Sequence, residues 1–267
     1  MFEDEITRYT GARHADVVCN GTAALICALK AVMPIGGGYE VTTPYTFIAT
    51  ADAIRHAGFT PMFVDIESDG VNISPEEIEK ALTHQQVRCV LPVHLFGEPC
   101  RIEEIKDICD RYDLRLIEDA SQAFGLRVGT RMAGTFGDAG TYSFYATKNM
   151  GACGEGGAVV TDSVMVHERV AATRDHGMIQ LNRERVKVLD GYNFKMSWRA
   201  AFDGQQFLAL HKRSVESELG EKGLEVGYYT RLVYQHPWYA ENPFEWTSLP
   251  CPNAEALAEK QRRRFQS

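Results

Sequence analysis

No stretch of this 267-residue chain comes near eighteen consecutive apolar residues, so no membrane-spanning helix is expected. The opening residues MFEDEITRYT are acidic and lack an apolar core, so they do not read as a signal peptide, and a cytoplasmic setting is expected. No CxxC pair exists among the seven cysteines, which stand at 19, 27, 89, 100, 109, 153 and 251. Their odd count and their place in apolar runs point to reduced, mostly buried thiols, without a disulfide framework or a metal site. Basic charge is short as well. The 28 Lys and Arg against 36 Asp and Glu leave a net charge of −8, a poor balance for a protein whose main partner is nucleic acid. The 23 glycines follow no period of three, which removes a collagen-like reading. What remains, 45% hydrophobic and 10% aromatic residues, is too rich in core formers for a disordered chain.

Over the first 160 residues, short apolar runs alternate with helical patterns. Strands are expected at 16–19, 40–44, 60–66, 87–93 and 114–119, with GGAVVTD following at 156–162. Helices are expected over GTAALICALKAV, over 47–56, over 101–112 and over 163–174. A further helix begins at Ser74, with Pro75 in the first helical position and Glu77 three residues after the cap. Repeated units of this size predict an α/β fold whose mostly parallel sheet is covered by helices. Ligands in such sheets bind at the carboxyl ends of the strands, here near 20–24, 44–47, 94–98, 118–122 and 138–148. After a polar stretch to about 193, a long helical pattern covers 197–221. The expected division is a large domain over 1–190 and a connecting helix with a reduced small domain over 191–267.

The densest chemistry lies in 118–157. Asp119 ends a strand, where a carboxylate needs a cationic partner. Lys148 follows the run SFYAT, with Ser143 and Thr147 supplying hydroxyls and Gly154, Gly156 and Gly157 allowing close backbone approach. A lysine in an apolar pocket becomes an amine nucleophile, whereas a lysine beside a surface loop does nothing. Gly21 and Thr22 open a helix, which suits a phosphate or is only a capped start. Phe47, at another strand exit, stacks on a flat ring or fills a core. A pyridine aldehyde bearing a phosphate would use all of these together. His94 lies at a strand exit, where it is expected to face a cofactor, and His236 sits in YQHPWY near a substrate or in a turn.

The ordered strings NGTAAL, PYTFIATADAI, LPVHLFG, IEDASQAFG, GDAGTYSFYATKNMGACGEGG and YNFKMS resemble the DegT/DnrJ/EryC1/StrS family of pyridoxal-phosphate sugar aminotransferases, of fold type I. The resemblance implies pyridoxal 5′-phosphate as cofactor and Lys148 as the lysine that forms a Schiff base with it. It implies Asp119 as partner of the pyridine nitrogen, Phe47 as the stacked aromatic and Gln122 beside the ring hydroxyl. Thr22, the Ala23 backbone and Ser143 correspond to the phosphate cup. Asn193 corresponds to an asparagine reaching the phosphate from a neighbouring subunit, which implies a homodimer with shared sites. The implied reaction moves an amino group from glutamate or glutamine to a keto sugar, nucleotide-linked. Some members with histidine at the lysine position are dehydratases; Lys148 favours transamination. Related cyclitol amination belongs to the same site. Compared with the family pattern, the interval between Gln205 and Gly223 is short, as are both ends. A second expectation is therefore a shortened homologue of impaired turnover that binds cofactor or serves as an assembly partner.

Overall fold

The computed structural model describes all residues except 85, 153, 198, 199, 202, 203, 206, 207, 209–228, 230 and 267, with the side chains of 244 and 264–266 also left out. In chain order the helices are α1 (Phe2–Thr10), α2 (Gly21–Val32), α3 (Ala49–His56), α4 (Pro75–Ala81), α5 (Ile102–Arg111), α6 (Val164–Arg174), α7 (Pro237–Glu241) and α8 (Pro252–Gln266). The strands are β1 (His14–Val18), β2 (Tyr39–Thr42), β3 (Thr60–Phe63), β4 (Val87–Val90), β5 (Arg115–Asp119), β6 (Arg127–Val128), β7 (Arg131–Met132), β8 (Ala139–Ser143), β9 (Gly157–Thr161), β10 (Met178–Leu181), β11 (Glu184–Lys187) and β12 (Thr247–Ser248).

Short polar side chains start several helices by taking amides the helix itself cannot use. Asn20 accepts from the Ala23 N–H, Ser74 from Glu77 and Ser163 from Val166. The predicted helix at Ser74 and Pro75 is thus present with its cap. Strands β3 and β4 end at Phe63 and Val90, earlier than their apolar runs suggest. Beyond those points the chain leaves the ladder, and its buried residues line the loops at the strand ends instead.

Eight strands form one sheet in the order β1-β9-β8-β5-β4-β2-β3-β12. Only β9 runs against its neighbours; β8 and β9 are joined through 144–156 without a crossover helix, so the chain returns antiparallel. The fold is the mostly parallel, helix-covered α/β sheet. Helix α2 is nearly all buried and lies against β1, β8 and β9, with Leu25, Cys27 and Leu29 in a core shared with Ile117 and Val159. On the opposite face, Ile78, Ile105 and Ile108 of α4 and α5 cover Val41, Val90 and Leu116.

Residues beyond 229 attach to this same sheet. β12 pairs in parallel with β3, and Leu232, Cys251 and Ala254 pack with Tyr45, Ile66 and Val93. Buried Asp65, just past β3, accepts the amides of Asn253 and Ala254, and so holds the start of α8. One feature departs from the sequence reading. The polar stretch after α6 contains the hairpin β10–β11, whose turn places Asn182 and Arg183 at φ 50° and 70°. Arginine there hides the usual glycine signal for such a turn. The helix expected over 197–221 falls largely outside the described residues. No described helix is long and apolar enough to cross a membrane. Of the described cysteines, 27, 89, 100, 109 and 251 are buried and Cys19 is half-buried, all as free thiols.

Candidate active site

The carboxyl ends of β1, β5 and β8 open into a cavity of about 560 Å³ that contains both Asp119 and Lys148. Strand alternation explains why Asp119 reaches it and Glu118 does not. Asp119 lies on the face of β5 that carries α2. Its Oδ2 accepts from Thr50 Oγ1 at 2.9 Å and its Oδ1 from the Ser121 N–H at 3.1 Å, while Thr46 lies 3.2 Å from Thr50, hydroxyl to hydroxyl. Those donors hold an almost fully buried carboxylate in one orientation. Glu118, on the other face, accepts the amides of Gly134, Phe136 and Gly137 and pairs with His94 Nε2 at 3.0 Å.

His94 is therefore a core residue. Its Nδ1 accepts the Cys100 N–H, its ring is fully buried, and it does not face the cavity. The strand-exit position pointed to the cofactor side; the pairing with Glu118 on the other face of β5 turns the ring into the core instead. His236 precedes α7 and is not among the cavity residues.

Lys148 stands in a turn after β8, its N–H donating to the Tyr145 carbonyl at 2.8 Å. Burial pushes its ammonium below the ordinary lysine value, and the negative charge of Asp119 opposes that shift. An amine that gives up its proton more readily is a better nucleophile at neutral pH. Opposite it, α2 presents its N-terminus. The amides of Gly21 and Thr22 have no partner among the described residues, as first-turn amides of a helix do. Gly21 is required for this contact, because a Cβ there would lie 2.8 Å from Ser143 Cβ. Ser143 is thereby pressed against the helix start. Gly157 serves the same joint from β9, where a Cβ would stand 2.6 Å from the Asn20 carbonyl.

Among the residues singled out from sequence, Thr22, Phe47, Asp119, Gln122, Ser143 and Lys148 all line this one cavity. Phe47 is 54% exposed, a ring at the mouth rather than in a core. The Ala23 amide, expected at a phosphate, donates to Asn20 Oδ1 at 2.8 Å in this structure because the capping side chain claims it, whereas the amides of Gly21 and Thr22 have no partner among the described residues. Asn193 is exposed, bridged to Asp175 beyond the β10–β11 hairpin, and lies away from its own chain's cavity. Sequence reading missed Asn20 and Thr50. Asn20 was legible as a good N-cap residue before a helix; Thr50 had no signal, since it meets Asp119 across 69 residues.

An amine, a shielded carboxylate, an aromatic ring and a helix N-terminus converge on one cavity, a set of groups that a phosphorylated carbonyl compound with a flat, protonatable ring would use. The chain belongs to the DegT/DnrJ/EryC1/StrS aminotransferase family, whose model matches residues 1–217. It is 37% identical over 246 residues to the spore coat polysaccharide biosynthesis protein SpsC of Bacillus subtilis, covering 89% of this chain and 62% of that protein. It is 38% identical over 195 residues to the UDP-N-acetyl-3-dehydro-alpha-D-glucosamine 3-aminotransferase of Acidithiobacillus ferrooxidans, covering 73% of this chain and 52% of that protein. The chain thus spans between half and two thirds of the length of these relatives. Among solved structures, NtdA of Bacillus subtilis with bound cofactor PMP superposes with a TM-score of 0.70 at 32% identity, covering 79% of this chain and 48% of that one. Pyridoxal 5′-phosphate is the cofactor of this family, and the residues of the cavity fit it: Lys148 for the aldehyde, Asp119 for the ring nitrogen, and the α2 N-terminus with Ser143 for the phosphate.

Proposed function

We propose that the chain carries a pyridoxal-phosphate-dependent aminotransferase that moves an amino group from glutamate or glutamine to a keto sugar, linked to a nucleotide. The observation that carries this reading is the placement of Lys148 and of a clamped, buried Asp119 on the walls of one cavity. When bound, the cofactor supplies a carbonyl that condenses with amines and a ring that takes up the electron pair left when a proton leaves the substrate carbon. Lys148 Nζ would be the amine that holds the cofactor aldehyde and the base that moves the proton at the substrate carbon. Its lowered pKa suits both duties. The Asp119 carboxylate keeps a proton on the ring nitrogen, and Thr50 and Ser121 keep the carboxylate aimed. Phe47 covers a ring face, Gln122 donates to the ring oxygen, and Thr22, Ser143 and the free α2 amides hold the phosphate.

The relatives' names support the sugar side of the reading, since one of them acts on a nucleotide-linked dehydro sugar. In the same reading the enzyme is a cytoplasmic homodimer in which Asn193 of one copy completes the phosphate cup of the other. Residues 1–190 form its cofactor domain, and the described part of 191–267 docks on the large sheet. The test is spectroscopic and chemical. Added pyridoxal phosphate should give a visible band that shifts on addition of glutamate, and borohydride followed by peptide mass analysis should label Lys148. Labelling mainly at another lysine would overturn the assignment.

A further inference from the structure

Gln122 is held from two sides. Its Oε1 accepts the Phe96 N–H at 3.0 Å, and its Nε2 donates to Tyr229 Oη at 2.9 Å. An amide whose oxygen must face a backbone N–H cannot be flipped, so the NH2 end points to Tyr229. That nitrogen carries two hydrogens. Tyr229 takes one, and the other has no partner among the described residues, on a side chain that lines the cavity.

Both partners are themselves held in place. Phe96 has φ 56° and ψ 20°, a left-handed conformation that a residue with a side chain adopts only when its surroundings enforce it. The enforcement is visible: Asn72 accepts the Leu95 N–H and donates to the Glu98 carbonyl, spanning the bend. Tyr229 stacks on Phe96 with ring centroids 5.7 Å apart and meets the edge of buried Tyr45 at 5.9 Å. Burial pushes the Tyr229 phenol up to about 12, the Gln122 bond opposing and the charge of Asp119 reinforcing the shift, so it remains a neutral acceptor. The phenol and Gln122 are 107 residues apart in sequence. Nothing in a local motif brings them together.

We propose that Tyr229 is a positioning residue of the cofactor site: with the Phe96 amide it orients the Gln122 amide so that the second Nε2 hydrogen is offered to the ring oxygen of the cofactor. This rests on the proposed function. A donor at that oxygen stabilises its ionised form and lowers the pH at which the bound cofactor titrates. Tyr229→Phe removes the acceptor and keeps the stacked ring. The measurement is the visible absorption of the cofactor-loaded full chain against pH, together with cofactor affinity from spectral titration. Tyr229→Phe is expected to move the midpoint upward by about half a pH unit to one unit and to weaken cofactor binding roughly threefold to tenfold. Gln122→Ala should do at least as much, and adding Tyr229→Phe to Gln122→Ala should change nothing further. Without cofactor, Tyr229→Phe should melt with the parent, which separates positioning from a general loss of structure. A midpoint unchanged in Tyr229→Phe, or a shift that adds fully to that of Gln122→Ala, overturns the inference while leaving the proposed function standing. A parent chain with no cofactor band overturns the proposed function, and this inference with it.

Discussion

Glu40 and Asp119 are both buried carboxylates of the same sheet, yet their environments assign them opposite chemistry. Asp119 has Thr50 and Ser121 as donors and lies on a cavity. Glu40, in β2 opposite Cys89 and Pro61, has both carboxylate oxygens buried without a hydrogen-bond partner among the described residues. Burial alone pushes its acid well above the ordinary value of 4.5, which favours the neutral acid in the core. The sign of the consequence follows from linkage. The unfolded chain ionises Glu40 above pH 4.5 and the folded chain does not, so this group's contribution to stability is full below that pH and declines as pH rises toward the folded value. The decline is about 1.4 kcal/mol for each pH unit over which the folded acid stays protonated. Glu40→Gln, neutral throughout, should match the parent near pH 4.5 and exceed it increasingly at pH 6 and 7 in urea unfolding. Parallel curves for parent and variant across that range would show that Glu40 ionises freely in the fold.

At the scale of elements, the site depends on how tightly the start of α2 seats on the end of β8. Ser143 and the amides of Gly21 and Thr22, which have no partner among the described residues, belong to different elements, and in the proposed function only close contact at Gly21 would let them address one phosphate. Gly21→Ala would place a Cβ 2.8 Å from Ser143 Cβ, so the helix or the strand must move. Alanine is otherwise favourable in a helix, and the change should therefore leave the secondary structure intact. The expected result is a loss of at least about tenfold in pyridoxal phosphate affinity with unchanged far-ultraviolet circular dichroism, in keeping with lost charge-assisted contacts of roughly 1.5–3 kcal/mol each. Affinity equal to the parent would show that the phosphate does not use this joint.

At the scale of the whole molecule, Asn193 is the residue that tests the assembly. It is exposed, lies past the protruding β10–β11 hairpin and does not line the cavity of its own chain. If it completes a neighbour's phosphate cup, two defective chains can repair one another. Lys148→Ala and Asn193→Ala, each impaired alone, should regain part of the donor half-reaction when refolded together, because some mixed dimers carry one site with neither substitution. Sedimentation should report a dimer for the mixture. A monomer that binds cofactor tightly, or mixtures no more active than the separate variants, would remove the shared-site reading.

The sequence by itself determined the alternation of strands and helices and the capped start at Ser74, because these follow from periodicity and from local donors and acceptors. It also placed Asp119, Phe47, Lys148 and the Thr22 helix start near the carboxyl edge of a parallel sheet, where a pyridine aldehyde bearing a phosphate would use them together, and the resemblance supplied their expected roles. Tertiary structure decided the rest. Adjacent Glu118 and Asp119 differ in role only because strand alternation sends one to the core, with His94, and the other to the cavity. The Ala23 amide was lost to Asn20 through a geometry that a residue pattern does not specify. The β10–β11 hairpin escaped notice because its exposed strands alternate no apolar residues against a core. Thr50 and Tyr229 reach the site across 69 and 107 residues, and contacts at that separation are made by the packing of the sheet, not by any stretch of chain that carries them.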